Sequence, residues 1–178
     1  MAYNNTYGGK PQFNGNRNGG NFQRESKPDL SETPKEVEID SFYDNQNNVQ
    51  ETLFDSKAKE IANSFIGKNE SGKLYGITSS QIRKIFDEVK RFEKYLMSNN
   101  ASEWAKQKPY IKMIKSKVAY AIARNGEKKG VWKNFEYFIS SCIDKIETEK
   151  DYHVFLSLFE AVYGFYYELA LDKGIKIK

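Results

Sequence analysis

Residues 77–97 read ITSSQIRKIFDEVKRFEKYLM, and the fold follows from how this stretch starts and which way its side chains face. Thr78 and Gln81 have the spacing of a capping box, and Ile77 and Ile82 stand across it as a hydrophobic staple. From Ser79 onward Ile82, Ile85, Phe86, Val89, Phe92 and Leu96 fall in one stripe at the 3.6-residue period, so this face packs. At 100° per residue Arg83, Lys84, Lys90, Arg91 and Lys94 share the opposite sector, with Asp87 the main acid among them. Arg83 and Lys84 lie near the positive end of the helix dipole, where cations cost a few tenths of a kcal/mol. Helix stability does not explain them. They read either as a phosphate-binding ridge or as an ordinary solvated face.

The same periodicity continues on both sides. Upstream, Phe54, Ala58, Ile61, Ala62 and Phe65 predict a helix from about Glu51 that ends near Gly67. Downstream, Asn99-Asn100 ends the 77–97 helix. Pro109, at a favoured first helical position, opens PYIKMIKSKVAYAIARN. Its buried stripe is Ile111, Ile114, Val118, Ala121 and Ile122, while Lys112, Lys117, Tyr120 and Arg124 turn outward. A turn, NGEKKG, leads to a fourth helix from Val131, with Phe135, Phe138, Ile139, Cys142, Ile143 and Ile146 on its apolar side. The last helix, Glu149 to about Leu171, is apolar over most of its circumference and begins among carboxylates that suit a helix N-terminus. Gly164 within it marks a close approach or a kink. No two-residue alternation is found, so no strand is expected. The fold class is all-α: a compact bundle of about five helices over residues 51–178.

Residues 1–50 differ in kind. They are poor in aliphatic side chains and rich in Asn, Gly and Gln, too little apolar surface to offset the entropy of ordering, and we expect a disordered tail. Charge divides along the chain. Residues 1–28 carry four basic and one acidic side chain and residues 29–51 one basic and seven acidic, so residues 52–178 hold +7 of a net charge of +4. A basic helical part behind an acidic strip points to a polyanionic partner.

Catalytic chemistry finds little to stand on. Gly67, Gly72 and Lys73 match most of a phosphate loop. Leu74, however, occupies the position of the magnesium-binding Ser or Thr, and no strand-to-helix context is expected. The single cysteine, Cys142, excludes an internal disulfide and cysteine-based metal clusters, and its place on an apolar stripe assigns it to the core. The single histidine, His153, lacks partners of metal-ligand type. We expect no enzyme activity, no cofactor and no metal. With no signal peptide and no apolar run of membrane-spanning length, a cytoplasmic protein without a membrane role is expected.

Ser80-Gln81-Ile82-Arg83-Lys84, followed by Lys108-Pro109-x-Ile111 running into Tyr120-Ala121-Ile122-Ala123-Arg124, resembles the small subunit of the type III-A CRISPR effector, the Csm complex, an antiviral ribonucleoprotein. The resemblance covers about Ile77 to Tyr167. It implies an all-helical, non-catalytic subunit present in further copies along the guide RNA. Backbone and large subunits would be its protein partners, and those would do the RNA and DNA cleavage. It also implies contact with single-stranded target RNA through basic residues: Arg83, Lys84 and Arg124 by motif. Helical geometry adds Lys90, Arg91, Lys112 and Lys117. Reading phosphates rather than base edges suits a subunit that must accept any target, because guide pairing supplies specificity. The alternative is a helical protein–protein adaptor with no nucleic-acid role.

Overall fold

The computed structural model describes residues 37–98, 104–124 and 129–175, with the side chains of residues 94–98 and Lys129 left aside. Five helices follow one another: α1 (Ser56–Ser64), α2 (Ser79–Ser98), α3 (Trp104–Arg124), α4 (Lys129–Lys145) and α5 (Glu149–Asp172). Between α1 and α2 lies a short antiparallel hairpin, β1 (Ile66–Lys68) and β2 (Leu74–Gly76). The all-α expectation holds apart from this hairpin.

Helix α5 is the axis of the bundle. By length and composition it qualifies as a segment long and apolar enough to cross a bilayer. In this fold, though, its Tyr152, Phe155, Leu158, Phe159, Val162, Tyr166 and Ala170 are fully buried against the other helices. Phe159 is the hub. Its ring lies 5.4 Å from Phe86 of α2, 5.9 Å from Phe135 and 5.8 Å from Phe138 of α4, and 6.1 Å from Phe155, in edge, tilted and stacked arrangements that aromatic quadrupoles favour. Two buried tyrosines tie α5 to α2: Tyr152 donates to the Val89 carbonyl and Tyr166 to that of Ile77. Burial pushes both phenols up. Cys142 sits fully buried on α4, and its thiol is likewise pushed up by burial, as a core residue requires. The α5 start is set by Thr148 and Asp151, which form a capping box, an N-terminus that the acidic cluster had signalled. Helix α5 runs on through Gly164, which is exposed with nothing close to it, so neither a close approach nor a break falls there.

At the organising stretch, Gln81 Oε1 accepts from the Thr78 amide at 3.0 Å and from the Thr78 hydroxyl at 2.7 Å, and Ile77 and Ile82 are buried as a staple requires. Ile85, Phe86 and Val89 are buried and Phe92 half-buried, so the stripe packs as read up to Phe92; the Leu96 and Lys94 side chains lie outside the described residues.

Four departures from the expectations have physical reasons. Residues 66–76 form the hairpin. Its strands have three residues each, too few for a two-residue alternation to register. Asn69 Oδ1 accepts from the Lys73 amide, the Asn69 amide donates to the Lys73 carbonyl, and Gly72 takes φ +76°, so the Gly-Lys pair that mimicked a phosphate loop is a hairpin turn. Gly76 closes β2 where a Cβ would run into the Tyr166 hydroxyl. The first helix starts later than drawn: residues 51–54 form a 3-10 turn that buries Leu53 and leaves Phe54 partly exposed. Helix α3 starts at Trp104, five residues before Pro109, which lies inside it. The first turn is held by tertiary bonds, Trp104 Nε1–H to the Glu147 carbonyl at 2.7 Å and Lys108 to the Glu147 carboxylate, which offset the amide that proline lacks.

The fourth departure is at the tail boundary. Residues 37–50, assigned to the tail by composition, pack on the bundle: Val37, Ile39 and Phe42 are buried. The Tyr43 hydroxyl donates to Asp151 Oδ1 at 2.7 Å, and the Lys150 ammonium lies 4.7 Å from the Tyr43 ring centroid. Three apolar anchors and one tyrosine spread over a polar stretch carry no period, so this strap had no signature in the sequence. Residues 1–36 lie outside the described residues.

Candidate nucleic-acid interface

Helices α2 and α3 lie antiparallel, because Lys117 of α3 reaches Glu88 of α2 while the α3 C-terminus sits beside the α2 N-terminus. Along the outer side of α3, Tyr110, Met113, Lys117, Tyr120 and Arg124 fall within about 80° of one another at 100° per residue. Tyr110, Met113 and Tyr120 are exposed by 54%, 50% and 64%, so this is a ridge of large open side chains and not part of the core. On α2, Lys84 and Arg91 are seven residues apart and so share an edge facing α3, while Arg83 and Lys90 share the far edge.

The seven cations expected to meet RNA separate into two groups. Lys84 and Arg124, from different helices, meet at a groove of about 310 Å³ whose walls include Tyr120 and whose lining reaches Trp132 at the start of α4. Among the described residues neither has a carboxylate partner. The Arg124 guanidinium lies 5.7 Å from the Tyr120 ring centroid, a cation–π pair. Lys90 is exposed, 5.7 Å from the Phe86 ring, and Arg83 is exposed with Asp87 at 3.8 Å, a surface pair of small energetic weight.

The other three are engaged. Arg91 lies 3.5 Å from Glu88, and Lys117 meets the other oxygen of the same carboxylate. Arg91 and Glu88 line a second hollow of about 280 Å³ with Phe92, Gln107 and Tyr110. Lys112 turns toward α4: it donates to the Ile143 carbonyl at 3.0 Å and stands 3.7 Å from Asp144, which also takes Lys115 at 2.5 Å. The fold therefore brings Lys84 and Arg124 together, leaves Arg83 and Lys90 exposed on the far edge of α2, and points Lys112 elsewhere.

Two residues that sequence reasoning passed over matter here. Glu88 decides which cations are spent internally, and nothing in its local sequence marks it. Trp132 is 1% exposed, and its indole Nε1–H has no hydrogen-bond partner among the described residues, a state that costs about 1–3 kcal/mol for a buried donor. Its burial was legible, since 132, 135, 139, 142 and 146 recur at helical spacing. His153 stands 3.5 Å from Glu93 and 3.8 Å from Glu149. Among the described residues no three His, Cys, Asp or Glu side chains are grouped to hold a metal.

A family model described as Csm2 Type III-A matches residues 48–168. No curated protein and no solved structure matches the chain.

Proposed function

From the premise that this chain belongs to the Csm2 type III-A family and is a small subunit of the type III-A CRISPR Csm complex, we propose that it is a non-catalytic RNA-backbone-binding subunit. It grips the guide–target assembly in the cytoplasm through the α2–α3 face, independently of sequence. The observation that carries this is the meeting of Lys84 and Arg124, forty residues apart in the chain, at one groove with no carboxylate among its described lining residues. Cations on two rigid helices present a fixed pair of phosphate donors. Arginine adds a planar fork suited to phosphate oxygens, and lysine adds a point charge. Arg83 and Lys90 extend the positive edge along α2. Arg91 and Lys117, both exposed, can exchange the half-buried Glu88 carboxylate for phosphate. Lys112, bonded to the Ile143 carbonyl, serves mainly to hold α3 on α4.

The partners this reading names are guide RNA, single-stranded target RNA, the backbone and large subunits, and further copies of the chain. The test uses the full chain and a ten-nucleotide single-stranded RNA titrated across salt concentration. Each phosphate contact contributes about 0.7 to the slope of log K against log salt, so a K84A/R124A variant should lose about 1.4 from that slope while its melting curve stays unchanged. An unchanged slope sinks the assignment. No salt-dependent binding by the wild-type chain, alone or in the assembled complex, leaves a protein–protein adaptor.

A further inference from the structure

Lys84 and Arg124 account for phosphate, but their groove also holds features that phosphate binding does not need. Tyr120 stands open beside the Arg124 guanidinium, so two flat surfaces face solvent where an unpaired base has something to stack on. Behind them, Trp132 contributes to the lining, and its Nε1–H, closed from solvent, is satisfied by no described group. A buried donor of this kind in a native core calls for an explanation, and a ligand acceptor or a trapped water is the usual one. Ile85 and Ala121 line the same hollow and give it apolar walls. Cations at the rim, an exposed ring at the lip and an unmet donor within form a graded site, and its volume of about 310 Å³ is at the small end of the range for small-molecule pockets.

We infer that this groove takes one unstacked nucleobase of a single-stranded RNA. The adjoining phosphate lies between Lys84 and Arg124 and the base lies against Tyr120; as the base enters, the groove widens enough to uncover the closed indole, and a base carbonyl oxygen or ring nitrogen accepts from Trp132 Nε1–H. The inference rests on the RNA-binding reading above and sharpens it: a site made for phosphate alone would serve duplex and single strand alike, whereas this one selects an unpaired nucleotide. A base in the groove is read through one donor, so the preference is for any base that offers an acceptor and is not a sequence code.

The experiment compares three probes of equal length on the full chain: a ten-nucleotide oligouridylate, its abasic ribose-phosphate counterpart of equal charge, and the oligouridylate paired to its complement, which carries twice the phosphates. The expected result is binding of the free strand about tenfold tighter than the abasic strand, as one stacked base provides. The same preference should hold over the duplex at matched salt. Y120A, an exposed substitution that leaves the fold intact, should erase the preference while keeping the salt slope. W132F removes the donor and keeps a ring; with its melting transition confirmed, it should weaken the free strand severalfold and leave the abasic strand unchanged. Quenching of Trp132 fluorescence in a W104F background by the oligouridylate, and not by the abasic strand, supplies a readout apart from affinity. Equal affinity for natural and abasic strands, with the salt slope still dependent on Lys84 and Arg124, overturns the base site and leaves phosphate binding standing. Full preference retained in W132F overturns the indole's part. Failure of every probe to bind overturns the RNA reading itself, and the base site with it.

Discussion

Helix α5 buries ten of its 24 residues and helix α3 four of its 21, although both carry tyrosines and both are long. In α5 Tyr152 and Tyr166 turn inward and spend their hydroxyls on the carbonyls of Val89 in α2 and of Ile77 just before it, while Tyr167 stays exposed. In α3 Tyr110 and Tyr120 stand in solvent beside cations. One helix holds the bundle together and the other is covered on a single side. The difference teaches that aromatic content alone does not locate function in such a chain. What separates the two helices is how many neighbours cover them, and the open one is where charge and rings remain available to a partner.

The comparison breaks most readily at the hub. Phe159→Ala removes a ring in contact with four others and should cost about 3–5 kcal/mol in a denaturant melt. RNA affinity measured well below the melting transition should not change. A large loss of affinity in fully folded protein would mean that core and binding face are not separable.

Next in size is the strap at the α5 N-terminus. Burial pushes the Asp151 carboxyl up, but hydrogen bonds from the Tyr43 hydroxyl and the Thr148 and Glu147 amides outweigh it and hold the group below its ordinary range. The carboxylate in turn helps raise the Tyr43 phenol, to about 12, after the larger effect of burial. A depressed folded value means the stabilisation is present above the unfolded pKa of about 3.9 and is lost as pH falls through the folded value. Asp151→Asn should cost about 1–2 kcal/mol at neutral pH, and its stability should fall less than wild type's on acidification below about pH 4. Parallel pH-dependent melts check both; coincident slopes would remove Asp151 from the acid response.

A smaller effect sharpens the α3 side. Glu88→Gln frees Arg91 and Lys117 from their shared carboxylate, so the RNA salt slope should steepen by up to about 1.4, with stability changed by less than about 1 kcal/mol. A flatter slope would show that Glu88 orients these cations instead of occupying them. The smallest effect is expected from K112A/K115A. It deletes cations facing Asp144 and should leave the RNA slope unaltered and stability within about 1 kcal/mol. Weaker RNA binding in that variant would extend the interface around to α4.

Much of the bundle was legible before any coordinates. The stripe Ile82, Ile85, Phe86, Val89 and that of Phe135, Phe138, Ile139, Cys142 each needed only the helical period, and both pack as read. Thr78 and the carboxylates around Asp151 mark their helix starts because capping is local chemistry. The hairpin at 66–76 was invisible because three-residue strands have no period to detect. Pro109 misled because the bonds holding the turn before it come from Glu147, far along the chain. The strap of Val37, Ile39, Phe42 and Tyr43 was hidden in polar composition because its order derives from what it packs on. For the interface, the residue types were readable and the grouping was not.

Sequence by itself determined the helices, their buried faces and a surplus of positive charge after residue 51, since these depend on neighbours within about one or two turns. Tertiary structure alone decided which charges stay available. Lys117 and Glu88 lie 29 positions apart, and so do Lys115 and Asp144. Their pairing depends on separations of a few ångströms between helices, over which Coulomb attraction rises steeply and about which chain order carries no information. The same packing left Lys84, Tyr120 and Arg124 together at an open groove.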